Sequence, residues 1–136
     1  MSYAVAGALQ AAVYQALTTN AALSGLVGAA VYDAVPTGTL PETYVILGTE
    51  EVRDRSDGDG TGAEHRMTVS VVSDAAGFAT AKAVAVAVSD ALVGADLSLT
   101  RGRLVYLNFY RAYARREGST NQRRIDLRFH ARVEDS

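Results

Sequence analysis

The side chains of this 136-residue chain that could do chemistry are two histidines, three closely spaced aspartates and a run of arginines interleaved with tyrosines. His65 and His130 lie outside any ligand-spaced pattern such as HxxxH, and both read as surface histidines of an antiparallel sheet. The chain has no cysteine, so a zinc site would need both imidazoles plus carboxylates, and the spacing asks for nothing of the kind. Asp54, Asp57 and Asp59 invite a calcium-loop reading. Counted from Asp57, the sixth residue is Gly62 but the twelfth is Thr68 rather than a glutamate; counted from Asp54, the sixth is Asp59. The pattern fails in both registers. No Walker A sequence, no GxGxxG after a strand and no GxSxG elbow occurs. The chain is therefore not expected to be an enzyme or to carry a cofactor.

The arginines are the stronger signal. No lysine or arginine precedes Arg53, nine of the 13 basic residues fall between Arg101 and Arg132, and Lys82 is the only lysine. Arginine keeps its charge at any working pH and pairs in bidentate fashion with carboxylate or phosphate, so the bias points to specific pairing. Tyr106, Phe109, Tyr110 and Tyr113 lie among Arg103, Arg111, Arg115 and Arg116, as in a surface on which bases stack. Strict strand alternation, however, puts Tyr106 and Tyr110 on one face with Leu104, and Phe109, Arg111, Tyr113 and Arg115 on the other. That division, a net charge of −2 and the single lysine count against an autonomous nucleic-acid-binding domain.

The elements that must carry these groups follow from periodicity. From Arg123 to Glu134 the apolar residues Ile125, Leu127, Phe129, Ala131 and Val133 alternate with polar or charged ones, the signature of a strand with one face in a core. Residues 103–116 form its partner strand, joined through a hairpin at Glu117–Asn121. Two earlier strands are expected at Thr43 to about Arg53 and at His65–Ser73. Between them lies a flexible loop at about residues 53–63, almost without apolar side chains. Helices are predicted over 3–18, over 21–27 with Thr19-Asn20 as cap, and from about Ala75 to Val93 with Ser73-Asp74 as cap. Val31–Pro36 reads as an extended piece.

The sum is a single α+β domain, residues 1–136, with a four-stranded, mainly antiparallel sheet and helices packed on one face. No segment reaches the roughly 18 to 20 continuous apolar residues of a membrane span, and Met1–Val5 lacks the positive region of a secretory signal. A soluble, unprocessed chain with no membrane partner is expected.

Taken in order, several pieces resemble a known family. They are Leu9, Tyr14 and Leu17 of the first helix; Asn20-Ala21-Ala22-Leu23; Val31-Tyr32-Asp33-Ala34-Val35-Pro36; and Leu40-Pro41 with Tyr44–Gly48. The helix through Ala81-Lys82 and Asp90–Leu92, then Leu104–Leu107 and Asp126–Arg132, complete the series. The chain resembles the DUF3168 group of tail-completion, or tail-terminator, proteins of long-tailed bacteriophages and gene transfer agents. The resemblance implies a structural protein assembled in the bacterial cytoplasm and resident at the tail–neck junction of the particle. It implies a homo-hexameric ring that caps the head-proximal end of the tail tube, stops tube polymerisation and offers the head or neck an attachment surface. The implied partners are further copies of the chain, the tube protein, a head–neck or stopper protein, and DNA passing through the channel without sequence-specific binding. Another head–tail connector or neck component is the alternative.

A ring needs two different patches on each subunit. An arginine-rich strand face and an acidic loop fit that need, so the expected assembly residues are Arg53, Asp54, Arg55, Asp57, Asp59, Arg111, Arg115, Arg124, Arg128 and Arg132.

Overall fold

A computed structural model describes residues 3–56, 61–118 and 121–135. The elements in chain order are α1 (Ala6–Thr18), α2 (Ala21–Val27), β1 (Val31–Tyr32), β2 (Thr43–Asp54), β3 (Gly62–Ser73), α3 (Ala79–Leu92), β4 (Arg103–Arg116) and β5 (Arg123–Glu134). The sheet order is β1-β2-β3-β5-β4, antiparallel throughout except for the short parallel β1–β2 pair. The fold is the expected α+β arrangement, with a two-residue fifth strand where the sequence showed only an extended piece.

Period-two alternation decides the layers. Phe129, Leu127, Ile125, Ala131 and Val133 of β5 face inward beside Met67, Val69 and Val71 of β3, their register partners. Val5, Leu9, Val13 and Leu17 on α1 and Ala81, Val84, Val88 and Leu92 on α3 close the same core. Small alanines on α3 let its backbone come near the sheet. Phe129 is fully buried and meets Phe109 edge to face at 6.1 Å; burying such a ring stabilises the fold by about 1.5 to 3 kcal/mol.

Local chemistry sets the ends. Asn20 caps α2 by accepting from the Leu23 amide at 2.9 Å. Helix α3 starts four residues later than expected. Ser73 is drawn into the sheet instead, where its hydroxyl pairs with that of Thr43 at 2.8 Å, and Gly77 takes φ +71° just before the helix. Strands β2 and β3 run through Arg53-Asp54 and Gly62-Ala63, so the connection between them spans 55–61.

His65 is not a surface residue. It shares the inward side of β3 with Met67 and is fully buried. A register shift between Leu47 and Glu50 turns Glu50 to that side, where its carboxylate meets His65 Nδ1 at 3.0 Å and accepts from the Tyr3 hydroxyl at 2.6 Å. The His65 hydrogen bond is the main cause holding the Glu50 carboxyl below its usual range. With Glu50 ionised, Nδ1 carries the proton. The N-terminal segment is thereby tied across the sheet.

Gly102 links three parts of the chain. It has φ +75°, and a Cβ there would stand 2.6 Å from the Glu134 carbonyl oxygen and 2.9 Å from a Val5 methyl. Gly102→Ala is expected to cost on the order of 2 kcal/mol or more in urea unfolding. A midpoint equal to that of the wild type would show that this turn relaxes freely.

Candidate functional site

The face of the sheet opposite α1 and α3 has no helix on it. At the β1–β2 end a small cluster of Ala30, Tyr44 and Val72, with Tyr32, Leu40 and Ile46 against it, covers that side. Elsewhere β3 and β5 present Glu64, Arg66, Thr68 and Ser70, then Arg124, Asp126, Arg128, His130 and Arg132. Water or a partner must satisfy them, or they must satisfy each other.

Most do the last. Asp126 is the hub. Its carboxylate accepts from the Ser70 hydroxyl at 2.6 Å, from Arg115 Nη1 at 2.6 Å and from Arg124 Nε at 3.0 Å, joining β3, β4 and β5. Burial pushes the Asp126 carboxyl up, but the Ser70, Arg115 and Arg124 hydrogen bonds outweigh it and bring the pKa to about 2. Arg66 donates to Glu64 at 2.8 Å, Arg53 to Glu51 at 2.5 Å, and Arg103 pairs with Glu134.

Arg132 has a different task. Its Nη2 donates to the Arg55 carbonyl oxygen at 2.8 Å, passing over Gly62, where a Cβ would lie 2.9 Å from that nitrogen. Arg132 therefore pins the end of the β2–β3 hairpin. Close by, Asp54 accepts from the Ser56 hydroxyl at 2.7 Å, and Arg55 approaches Glu64 at 3.9 Å. Asp57 and Asp59 lie outside the described residues.

Arg111 and Arg128 are the exception. They are cross-strand partners, both exposed, and among the described residues neither pairs with a carboxylate. Like charges directly opposite on neighbouring strands destabilise a sheet by up to about 1 kcal/mol. The two arginines line both of two adjoining depressions of about 400 and 360 Å³ on this face, which run from Gly48-Thr49 and Glu51 on β2 across to Tyr110 and Tyr113 on β4.

Two bulges in β4 assemble the rest of the face. The register shifts between Leu104 and Tyr106 and again between Phe109 and Arg111. Leu104, Leu107, Phe109, Ala112 and Ala114 consequently all lie opposite inward residues of β5 or turn to that side. Tyr106, Tyr110 and Tyr113 instead share the arginine face. Tyr106 reaches Glu64, Tyr110 stacks on His130 at 4.2 Å, and Arg115 lies over the Tyr113 ring at 5.6 Å. This corrects the reading from strict alternation, which divided the tyrosines between two faces. The missed signal is the 3-2-3-2 spacing of the apolar residues from Leu104 to Ala114.

The site thus brings together Arg111, Arg115, Arg124 and Arg128 of the expected set and adds Asp126, Arg66, His130 and the three tyrosines. Arg53, Asp54 and Arg55 sit apart on β2 and just beyond it. Among the described residues no group of three histidines, cysteines or carboxylates could hold a metal, and no helix is long and apolar enough to cross a membrane.

Asp126 supplies a test of the network. Its folded pKa is depressed, so its stabilisation is present above the unfolded value near 4 and is lost as pH falls through about 2. Asp126→Asn is expected to cost about 1 to 2 kcal/mol in urea unfolding at pH 7, with the gap to the wild type closing towards pH 2. A gap that does not change with pH would show that the carboxylate charge is not what matters.

Comparison with known proteins agrees with this architecture. The family model described as tail completion protein gp17 matches residues 11–134. A chain in the solved structure of the virion of a native gene transfer agent (GTA) particle is 68% identical, with a TM-score of 0.94, over 98% of this chain and 99% of that one. The comparison with curated proteins gives no match.

Proposed function

The chain belongs to the tail completion protein gp17 family, and from that membership we propose how it acts at the tail–neck junction of a phage-type or gene transfer agent particle. It is a structural tail-completion protein of the particle and not an enzyme. It ends the tail tube as a ring of identical subunits, six by the family resemblance. The ring stops tube polymerisation and gives the head or neck its attachment surface, while DNA crosses the central channel without sequence-specific binding.

The observation that carries the docking role is the Arg111–Arg128 pair on the open sheet face, which forms no ion pair among the described residues, with Glu51 in the same depression the nearest acid to feel Arg128. Arg115, Arg124, Arg66 and Arg53 are each matched by a carboxylate within the chain. Two guanidiniums placed opposite each other, sharing only the field of Glu51 in a depression flanked by tyrosines, favour a partner that brings further carboxylates to them. The tube and head–neck proteins are the partners this reading assigns. The tyrosines add rigid contact area at low entropic cost.

Exchanging both arginines for glutamine separates this role from folding. Arg111→Gln with Arg128→Gln is expected to leave the melting temperature unchanged or slightly higher, because like-charge repulsion is relieved. Particles assembled with the variant are expected to show overlong or headless tails by electron microscopy. Normal tails and full head attachment would return this face to ordinary solvated surface.

A further inference from the structure

The helix layer is narrower than the sheet, and both sheet margins are left with a gap on the helix side. At one margin, the distal half of β4 has lost its cover. Phe109, Ala112 and Ala114 face α3 across a cleft of about 360 Å³, with Lys82 and Val86 on the other wall. Phe109 remains 46% exposed and Val86 59%. Among the described residues no strand follows β4, so this element of 14 residues has a strand partner on one side only, and the Gly94 amide, which donates to the Leu107 carbonyl at 3.0 Å, covers just its first half. Such a margin is an invitation to another chain.

At the opposite margin, a groove of about 560 Å³ runs between α1 and β1, lined by Gly7, Ala11, Tyr14, Tyr32 and Asp33. β1 covers β2 only at Val45 and Ile46, so the rest of β2 is also an open edge.

The charges at the two margins are opposite. Lys82 lines the β4 cleft and Arg116, two positions beyond Ala114 on β4, forms no ion pair among the described residues, while Asp90, one turn beyond Val86 on α3, is an exposed acid at the far end of the same helix stripe. The α1–β1 margin carries Asp33, with Glu42 exposed nearby in sequence, and no basic residue occurs anywhere before Arg53. An apolar cleft lined by a lysine at one margin of the sheet and an apolar groove lined by an aspartate at the other are two unlike patches. That is the arrangement a head-to-tail contact between copies requires, and such contacts close into rings when the rotation permits.

We propose that the occupant of the β4 margin is a second copy of this chain, whose α1–β1 groove receives the Phe109–Ala114 segment with Asp33 towards the cations. This rests on the ring reading above and specifies the surfaces that build the ring. They are distinct from the open face assigned to the tube and neck proteins.

Mixing two half-dead subunits tests it. Ala112 and Ala11 are both exposed, so Ala112→Glu and Ala11→Arg change the patches without touching the core; Ala114→Glu repeats the first at a neighbouring position. With mass read by light scattering or native mass spectrometry, the wild type is expected to form a closed multimer and each variant alone a monomer. An equimolar mixture of Ala112→Glu with Ala11→Arg is expected to regain association, as a one-to-one dimer through the unaltered contact or as a closed multimer where the two introduced, opposite charges meet. That recovery also proves that both variants fold, and a mixture that stays monomeric overturns the assignment. A wild-type multimer that Ala112→Glu and Ala114→Glu both leave intact overturns this assignment alone. A multimer abolished by Ala112→Glu but untouched by Ala11→Arg overturns it as well, since β4 then meets something other than the groove. A wild type that stays monomeric at every concentration overturns the ring reading and this inference together.

Discussion

Helices α1 and α3 cover one face of a five-stranded sheet, so beyond the small cluster around Tyr44 and Val72 the outward residues of β3 and β5 must be satisfied without a helix packed on them. The Asp126 carboxylate meets that constraint at the centre. It gathers Ser70, Arg115 and Arg124 from three strands, and with Glu117, 3.3 Å from Arg115 and 3.9 Å from Arg124, it balances the two guanidiniums. A charged network of this kind is worthwhile only when each member is satisfied, because an unpaired group at a partly buried position costs more than the pair returns. Once that network is in place, the groups left over stand out. Arg111 and Arg128 are cross-strand partners without an ion pair of their own among the described residues. The stability of the fold gains nothing from this, which is why the pair reads as a contact held ready for another protein.

Much of this was legible in the sequence, and the exceptions have physical reasons. Strands β4 and β5 and helix α2 fall on the expected residues because the strand pattern and the Asn20 cap act within a few positions; residues 119 and 120 of the expected hairpin lie outside the described residues. α3 begins late because Ser73 ends β3, its hydroxyl meeting Thr43, 30 residues away, as well as the Ala75 amide, and the chain turns at Gly77 before the helix starts. His65 was misread through its residue type; its place in the alternation with Met67 and Val69 already put it on the core side. The chemistry that makes its burial tolerable comes from Glu50 and Tyr3, and the bulge that turns Glu50 inward has no local mark except Gly48.

The arginine face shows the same boundary between local and distant causes. That Arg124, Arg128 and Arg132 share a side follows from parity alone. Their different roles do not: Arg124 is engaged by Asp126, Arg132 reaches a carbonyl 77 positions away, and Arg128 forms no ion pair among the described residues. The two bulges of β4 move the tyrosines to this side while keeping Phe109 on the core side. An edge strand can accommodate such insertions because only one neighbour must follow its register. One device therefore shapes the open face and uncovers the margin beside α3.

The central claim is that the open face is covered by protein when the particle assembles. Hydroxyl-radical footprinting reads this directly at Tyr110 and Tyr113, which are 57% and 56% exposed in the free chain. Both are expected to lose most of their reactivity in intact particles. Equal labelling of these tyrosines in the free chain and in the particle would contradict the account.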